Sequence, residues 1–497
     1  MDRGADCGPI VLEGLPDMAT ITLLQLNDLH GYLTPHPELV WGAAGPEFPK
    51  LGGLARIKTL FDRMRADNPG GVVALDNGDT FHGTHLAVST KGQALVAPVN
   101  ALGLTAMTAH WEFAWGPDHV HQLAAQLDHP LLAANCYSKA DGSRPFPPSL
   151  ELTVAGIAVG IIGIAATIID KTMPDHFSEG VRFTDGVEEA REQSARLRKN
   201  GAELIIVLSH LGLPQDIELA KQVPEINVIL SGHTHNRLAE PERVGDTVVI
   251  QSGCHGAFIG RLDIDIEHGR IVQSRHALIP IDDSIPEDDQ MAGLVNEALA
   301  KGTDLSEVIG HTPRHLHRNT CLDAPMDDVL LAAVARTGGT DIAFSNGWRY
   351  GVPIPSGDVT LEDLWDIVPM NPVVSTVTMT GREILAMMEE SIERTFACDP
   401  FGQMGGYLKR FRGMTFHVKL ENPASRRIVG AFVGSDPLKS GQSYAVSFIT
   451  SQGVSKKYGT NRKALEIHAI DALKTWFENP EWDDVQIVPG SGRVLIV

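Results

Sequence analysis

The stretch Ile21–Gly31, ITLLQLNDLHG, opens as an apolar run of strand length and ends in an aspartate and a histidine two residues apart. The same pattern of apolar run and polar ending returns four times. ALDNGDTFHG carries Asp79 and His82, TAHWE carries His110, IIVLSHLG carries His210, and VILSGHTHN carries His233 and His235. Alone, Asp28 or Asp79 reads as a turn residue or a helix cap, and a single histidine as a polar loop residue. Five such endings in order are another matter. In open α/β sheets the carboxyl ends of the strands form one rim, so the pattern predicts carboxylates and imidazoles gathered there. A mixed nitrogen–oxygen set suits zinc, manganese or iron, with one aspartate able to bridge two ions.

Between these segments lie amphipathic stretches such as LARIKTLFDRMRAD and VEEAREQSARLRKN. The alternation from Ile21 to about Ile281 predicts a layered α/β domain over residues 19–283. The polar turn IDDSIPEDDQ leads into MAGLVNEALAKG, read as a linker helix within 284–304. From 305 to 497 the texture becomes mixed helix and strand with frequent Gly and Pro, consistent with a second, α+β domain. A length of 497 residues agrees with two domains rather than one core.

The balance of 62 acidic against 41 basic residues, a net charge of −21, argues against a nucleic acid or an anionic membrane surface as partner. A small anionic substrate stays compatible, because bound cations reverse the local field. Five scattered cysteines without a C-x-x-C pair indicate neither a disulfide framework nor a zinc knuckle. The most apolar run, LTVAGIAVGIIGIAATIID, is broken by Gly156, Gly160 and Gly163 into strand-sized pieces, so buried strands are expected rather than a membrane span. The first seventeen residues show no basic segment leading into a long apolar one, and Met18 would serve equally well as a start. As written this predicts a cytoplasmic protein, or a periplasmic one if the start lies elsewhere.

The order N-D-x-H-G, G-D-x-x-x-G, H-x-E-F, S-H and G-H-x-H resembles the calcineurin-like metallophosphoesterases. FSNGWR (Phe344–Arg349), LEDLWDIVPMNPVVSTVTMTG and MGGYLKRFRGM are similar to segments of the bacterial 5′-nucleotidase family. The resemblance implies a four-layer α/β/β/α metallophosphoesterase domain followed by an α+β 5′-nucleotidase C-terminal domain. It implies two divalent metal ions, one held by Asp28, His30, Asp79 and His235. The other would be held by Asp79, His110, His210 and His233, with Asp79 shared. Two close dications lower the pKa of a bridging water, so the expected reaction is attack of the resulting hydroxide on a nucleotide or related phosphate ester. Asn27 and Glu112 are expected to orient the ligands. In the second domain Arg349, Tyr407, Arg410 and Tyr458 are the expected substrate contacts, with Arg412 and Arg462 near the same loops.

One position departs from the family. Its pattern reads G-N-H-E-F-D where this chain has Ala109-His110-Trp111-Glu112-Phe113-Ala114. His110 replaces a ligand asparagine, Trp111 the catalytic histidine, and Ala114 that histidine's aspartate partner. An indole packs and donates a weak hydrogen bond but protonates nothing. General acid catalysis typically contributes about two to four orders of magnitude. Its loss hurts most with poor leaving groups, so the chain is expected to favour good ones, unless His82 or His255 supplies the acid. The His-Trp-Glu-Phe signature and DPFGQMGGYLKR also resemble the thiosulfohydrolase branch of the bacterial sulfur-oxidation system. That resemblance implies sulfate release from a cysteine thiosulfonate on a carrier protein. A third reading is a metal-binding protein with little turnover.

Overall fold

The computed structural model describes residues 19–267, 270–482 and 493–497. The expectation about the first seventeen residues lies outside them. No helix among the described residues is long and apolar enough to cross a membrane.

Two sheets stack face to face in the first half. One runs Arg270–Pro280, Phe258–Glu267, Ala19–Leu26, Val72–Asp76, Ala106–Met107 in spatial order. The other runs Glu242–Val244, Thr247–Ile250, Val228–Ser231, Leu204–Ser209, Ile157–Ile164, Ser149–Val154. Strand Ala19–Leu26 is parallel to Val72–Asp76, and Leu204–Ser209 is parallel to both its neighbours. Their carboxyl ends therefore share a direction within each sheet.

Successive side chains along a strand point to opposite faces. Ile21, Leu23, Val73 and Leu75 turn toward Ile161, Ile206, Leu208 and Leu230 of the other sheet. Leu24 and Leu26 turn outward onto Ile57, Leu60 and Phe61 of helix Leu54–Asp67. On the far side Ile162, Ile164, Ile205 and Val207 meet helices Val187–Lys199 and Leu213–Gln222. These strands are apolar on both faces because both faces are covered, as the α/β/β/α expectation requires. Two glycines of the long apolar run, Gly160 and Gly163, have a packing reason. A Cβ on Gly163 would stand 2.2 Å from the Leu132 Cβ, and one on Gly160 would stand 2.7 Å from the Leu197 side chain. Small residues there let neighbours approach the strand Ile157–Ile164.

Helix Asp289–Leu299 follows, capped by the Asp288 side chain, which accepts from Met291 N–H. Its Met291, Val295 and Ala298 belong to the core that also contains Leu54 and Phe61, so the connecting helix is docked on the first half. The second half carries a mixed five-stranded sheet in the order Arg410–Arg412, Ile342–Ser345, Ser443–Phe448, Val373–Thr380, Thr460–His468. Helices Pro325–Gly338 and Ala469–Glu478 pack together, and Gly381–Phe396 joins a separate core containing Ile342, Phe344 and Val377. That last helix starts with a capping box between Thr380 and Glu383. The halves are tied across their interface by Tyr32 Oη–H donating to Asp366 at 2.8 Å and Gln452 Nε2–H to the Thr172 carbonyl at 3.0 Å.

Candidate active site

The strand endings meet as the sequence implies. Asp28 and His30 follow Ala19–Leu26, Asp79 follows Val72–Asp76, His110 follows Ala106–Met107, His210 follows Leu204–Ser209, and His233 and His235 follow Val228–Ser231. Asp28, His30, Asp79, His233 and His235 have φ between 44° and 72°, the left-handed region that non-glycine residues seldom enter. Hydrogen bonds hold these turns. His30 N–H donates to the Asp79 carbonyl at 2.7 Å, and His233 N–H to Asp28 Oδ1 at 3.0 Å. Two buried asparagines lash the sheets together at the rim. Asn27 donates to the Ser231 carbonyl at 2.9 Å. Asn77 donates to the carbonyls of Ser209 (2.8 Å) and Leu230 (2.7 Å). Asn77 was not anticipated from the sequence, because its partners lie more than a hundred residues away.

Two four-residue groups result: Asp28, His30, Asp79 and His235, and Asp79, His110, His210 and His233. Within each, one donor atom per residue lies within 4.8 Å of the others. His30 Nδ1 lies 3.0 Å from the His82 carbonyl and His210 Nδ1 lies 2.6 Å from the Asn77 carbonyl. A carbonyl only accepts, so both rings donate from Nδ1 and turn Nε2 inward. There His30 Nε2 meets His235 Nε2 at 3.3 Å, and His210 Nε2 meets Asp79 Oδ2 at 3.1 Å. Buried nitrogens of His110, His233 and His235 have no hydrogen-bond partner. Lone pairs facing lone pairs and carboxylates call for positive charge between them. Electrostatics say the same. Burial pushes the His210 imidazole down, yet the Asp79 and Asp28 carboxylates raise it to about 10. Burial alone would raise the Asp79 acid, but His110 and His210 hold it well below the carboxylate range. The donor set fits divalent cations of the zinc, manganese or iron type.

Glu112 sits beneath this rim with no exposed surface. Its carboxylate accepts from the backbone N–H groups of Thr80 and His110, both at 2.8 Å, and of Asp79 at 3.3 Å. It therefore fixes the two loops that present Asp79 and His110. Trp111 N–H donates to Asp79 Oδ1 at 2.8 Å, while the indole stacks on His82 (4.3 Å, 21°) and lines the cavity. The indole is thus both a packed ring and a wall of the site. Neither alternative histidine lines that cavity. His82 lies against Trp111, with its Nε2 2.8 Å from Met370 Sδ. His255 Nδ1 is 3.1 Å from Glu38, which also pairs with Arg237.

The cavity of about 660 Å³ opens from His30, Asp79, His110, Trp111, His233 and His235 onto the second half. Arg349, Tyr407 and Tyr458 line it, with the Arg349 guanidinium 5.5 Å from the Tyr407 ring centre. Lys171, Arg394, Lys409, Lys456 and Lys457 also line it, with Glu390 paired to Arg394 and Lys457 and Asp175 at the wall, so the second-half side remains net basic in an acidic protein. Arg410 departs from expectation. It is 2% exposed, its Nε lies 2.9 Å from Asp327, and it donates to the carbonyls of Thr320 and Cys321. The alternation of side chains along strand Arg410–Arg412 turns it inward, away from the cavity. Tyr350, which the sequence reading passed over, stacks on His30 at 4.5 Å and lines the cavity.

Residues 308–453 match the 5′-nucleotidase C-terminal domain. A 5′-nucleotidase of Vibrio cholerae is 25% identical over 78% of this chain and 78% of its own length. The Escherichia coli protein UshA is 24% identical over 95% of this chain and 94% of its own. Among solved structures, the sulfate thiohydrolase SoxB of Thermus thermophilus superposes with a TM-score of 0.87 at 24% identity, over 97% of this chain and 98% of that one. A 5′-nucleotidase precursor from Thermus thermophilus gives 0.82 at 23%, over 96% and 99%. With its two stacked sheets, its rim of histidines and aspartates and a carboxy-terminal segment that matches the 5′-nucleotidase C-terminal domain, the chain is similar to these two-domain proteins over nearly its whole length and shares their fold.

Proposed function

We propose that the chain is a hydrolase that depends on two divalent cations and acts on a nucleotide or a related phosphate ester or anhydride with a good leaving group. The observation that carries this reading is the pair of four-donor groups sharing Asp79 at the floor of a basic cavity. Asp28, His30, Asp79 and His235 would hold one cation, and Asp79, His110, His210 and His233 the other. When bound, such a pair supplies an activated water and neutralises charge on the reacting group. Arg349 presents a guanidinium on the opposite wall, suited to an anionic oxygen of the substrate. Glu112 holds the Asp79 and His110 loops in place. Trp111 excludes water from its side of the site and offers no proton, so the leaving group departs as its own anion.

Elemental analysis of protein purified without chelators, with phosphate release from nucleoside mono-, di- and triphosphates and p-nitrophenyl phosphate, tests the reading. Two cations per chain and turnover confined to activated esters and anhydrides are expected. Equal rates on AMP and p-nitrophenyl phosphate contradict the leaving-group argument. Bound metal without any turnover favours a binding protein. A second enzymatic reading, sulfate release from a protein-bound thiosulfonate, is favoured by the His110-Trp111 pair, since a persulfide anion leaves without an acid. Sulfate release from a thiosulfonated carrier peptide, with no phosphate release from the panel, decides for it.

A further inference from the structure

Trp111 leaves the cavity without the imidazole that would serve the leaving group, and Tyr350, packed against the donor rim, lines the same space. The Tyr350 ring stacks on His30 (4.5 Å, 23°) and meets Trp111 edge-on at 5.6 Å and His82 at 6.2 Å. Tyr350 is 3% exposed, and its hydroxyl is buried with no hydrogen-bond partner. Native interiors pair nearly all such groups, because an unmade bond leaves the cost of removing the group from water uncompensated. Among the cavity-lining residues this hydroxyl and the Trp348 indole N–H are both left in that state on one loop, Asn346–Tyr350. Arg349, between them, faces the same cavity.

The phenol is a donor here and not a base. A tyrosine hydroxyl ordinarily ionises at about 10, so it carries its hydrogen at neutral pH. Stacking on His30 fixes the ring, so the hydroxyl is oriented before any substrate enters, the condition under which a hydrogen bond lowers a barrier most.

We infer that the Tyr350 hydroxyl donates a hydrogen bond to the leaving-group oxygen of the substrate, the task left open where Trp111 replaces an imidazole. The inference rests on the phosphoesterase reading above. In the hydrolysis a water oxygen forms a new bond to phosphorus and gives its proton to solvent. The ester P–O bond breaks and its oxygen leaves with the electron pair. The phenolic hydrogen stays on Tyr350, and solvent protonates the released group.

Tyr350→Phe keeps the ring on His30 and removes only the hydroxyl. With metal content and melting temperature as in the wild type, kcat is expected to fall on the order of 100-fold, the loss of one preorganised donor, while KM stays within about twofold. The loss should steepen from p-nitrophenyl phosphate to phenyl phosphate as the leaving group worsens. Orthovanadate should bind the variant more weakly than the wild type, while inorganic phosphate binds both alike. An unchanged kcat, a loss independent of leaving group, or a fall in metal content that tracks the fall in rate would each overturn the inference. The last would mean that the residue merely supports His30. If the wild type hydrolyses no phosphate ester, the phosphoesterase reading has failed, and an unchanged vanadate affinity in Tyr350→Phe then overturns the Tyr350 assignment by itself.

Discussion

Replacing Glu112 by glutamine tests whether the rim is held from below. The carboxylate takes one short and one longer N–H on each oxygen. Oε1 accepts from Thr80 at 2.8 Å and Phe81 at 3.4 Å, and Oε2 from His110 at 2.8 Å and Asp79 at 3.3 Å. An amide keeps one oxygen and turns the other into an NH₂ group that faces N–H groups. Each hydrogen bond to a charged acceptor contributes about 1.5–3 kcal/mol, and buried donors left facing each other add to the loss. Against this, burial and the Asp79 charge already disfavour ionisation of Glu112, so removing its charge returns part of that cost. The balance is a destabilisation of about 3 kcal/mol. For a cooperative unit of this size that corresponds to a fall in Tm of about 6–12 °C. The loops of Asp79 and His110 should loosen as well, weakening cation binding by about 10- to 100-fold, as disturbed supporting contacts do. Calorimetry of the chelator-treated variant separates the first effect, and competition with a chromogenic chelator the second. A Tm within about 2 °C of wild type together with unchanged metal affinity would refute the reasoning.

Asp79→Asn should remove stoichiometric metal and turnover together, read by elemental analysis and phosphate release, since both donor groups share this carboxylate. Trp111→His with Ala114→Asp should raise turnover of alkyl phosphates, by at most about 10²–10⁴-fold, and leave p-nitrophenyl phosphate nearly unchanged; equal gains on both would count against the missing-acid argument. Arg410→Ala should lower stability by about 1.5–3 kcal/mol, because it removes one of the two guanidinium partners of buried Asp327 and leaves it only Arg318, and a raised KM at unchanged Tm would return Arg410 to the cavity. His129 is 4% exposed, and burial lowers its ionisation from 6.5 to about 4, so the folded form resists a proton that the unfolded chain accepts. Its contribution is full above pH 6.5 and declines by up to about 1.4 kcal/mol per pH unit as pH falls toward 4, a slope that urea titrations of His129→Leu should show flattened.

The donor rim was legible because it is written locally. Each donor follows its own strand within a few residues, and the rule about strand ends converts that spacing into proximity. The layered fold was legible for a related reason, since strands apolar on both faces, such as Leu204–Ser209, require cover on both sides. What escaped depends on distant pairs. Arg410 looked like a substrate contact because it sits in a Gly-rich loop motif, but its fate was set by Asp327, far away in sequence. Asn77 gave no signal in the sequence, and its amide ties Ser209 and Leu230 together. Tyr350 carried no signal beyond its place after Arg349, and only the stacking on His30 gives it meaning.

The loop Asn346–Tyr350 bears on the order in which the molecule becomes competent. Every donor of the two four-residue groups has been synthesised by residue 235, whereas the arginine and tyrosine of the facing wall come only after residue 348. On the ribosome, the floor of the reactive chamber is therefore complete while its roof is still being translated. A chain that ends early keeps the imidazoles and carboxylates but has nothing to press a substrate onto them.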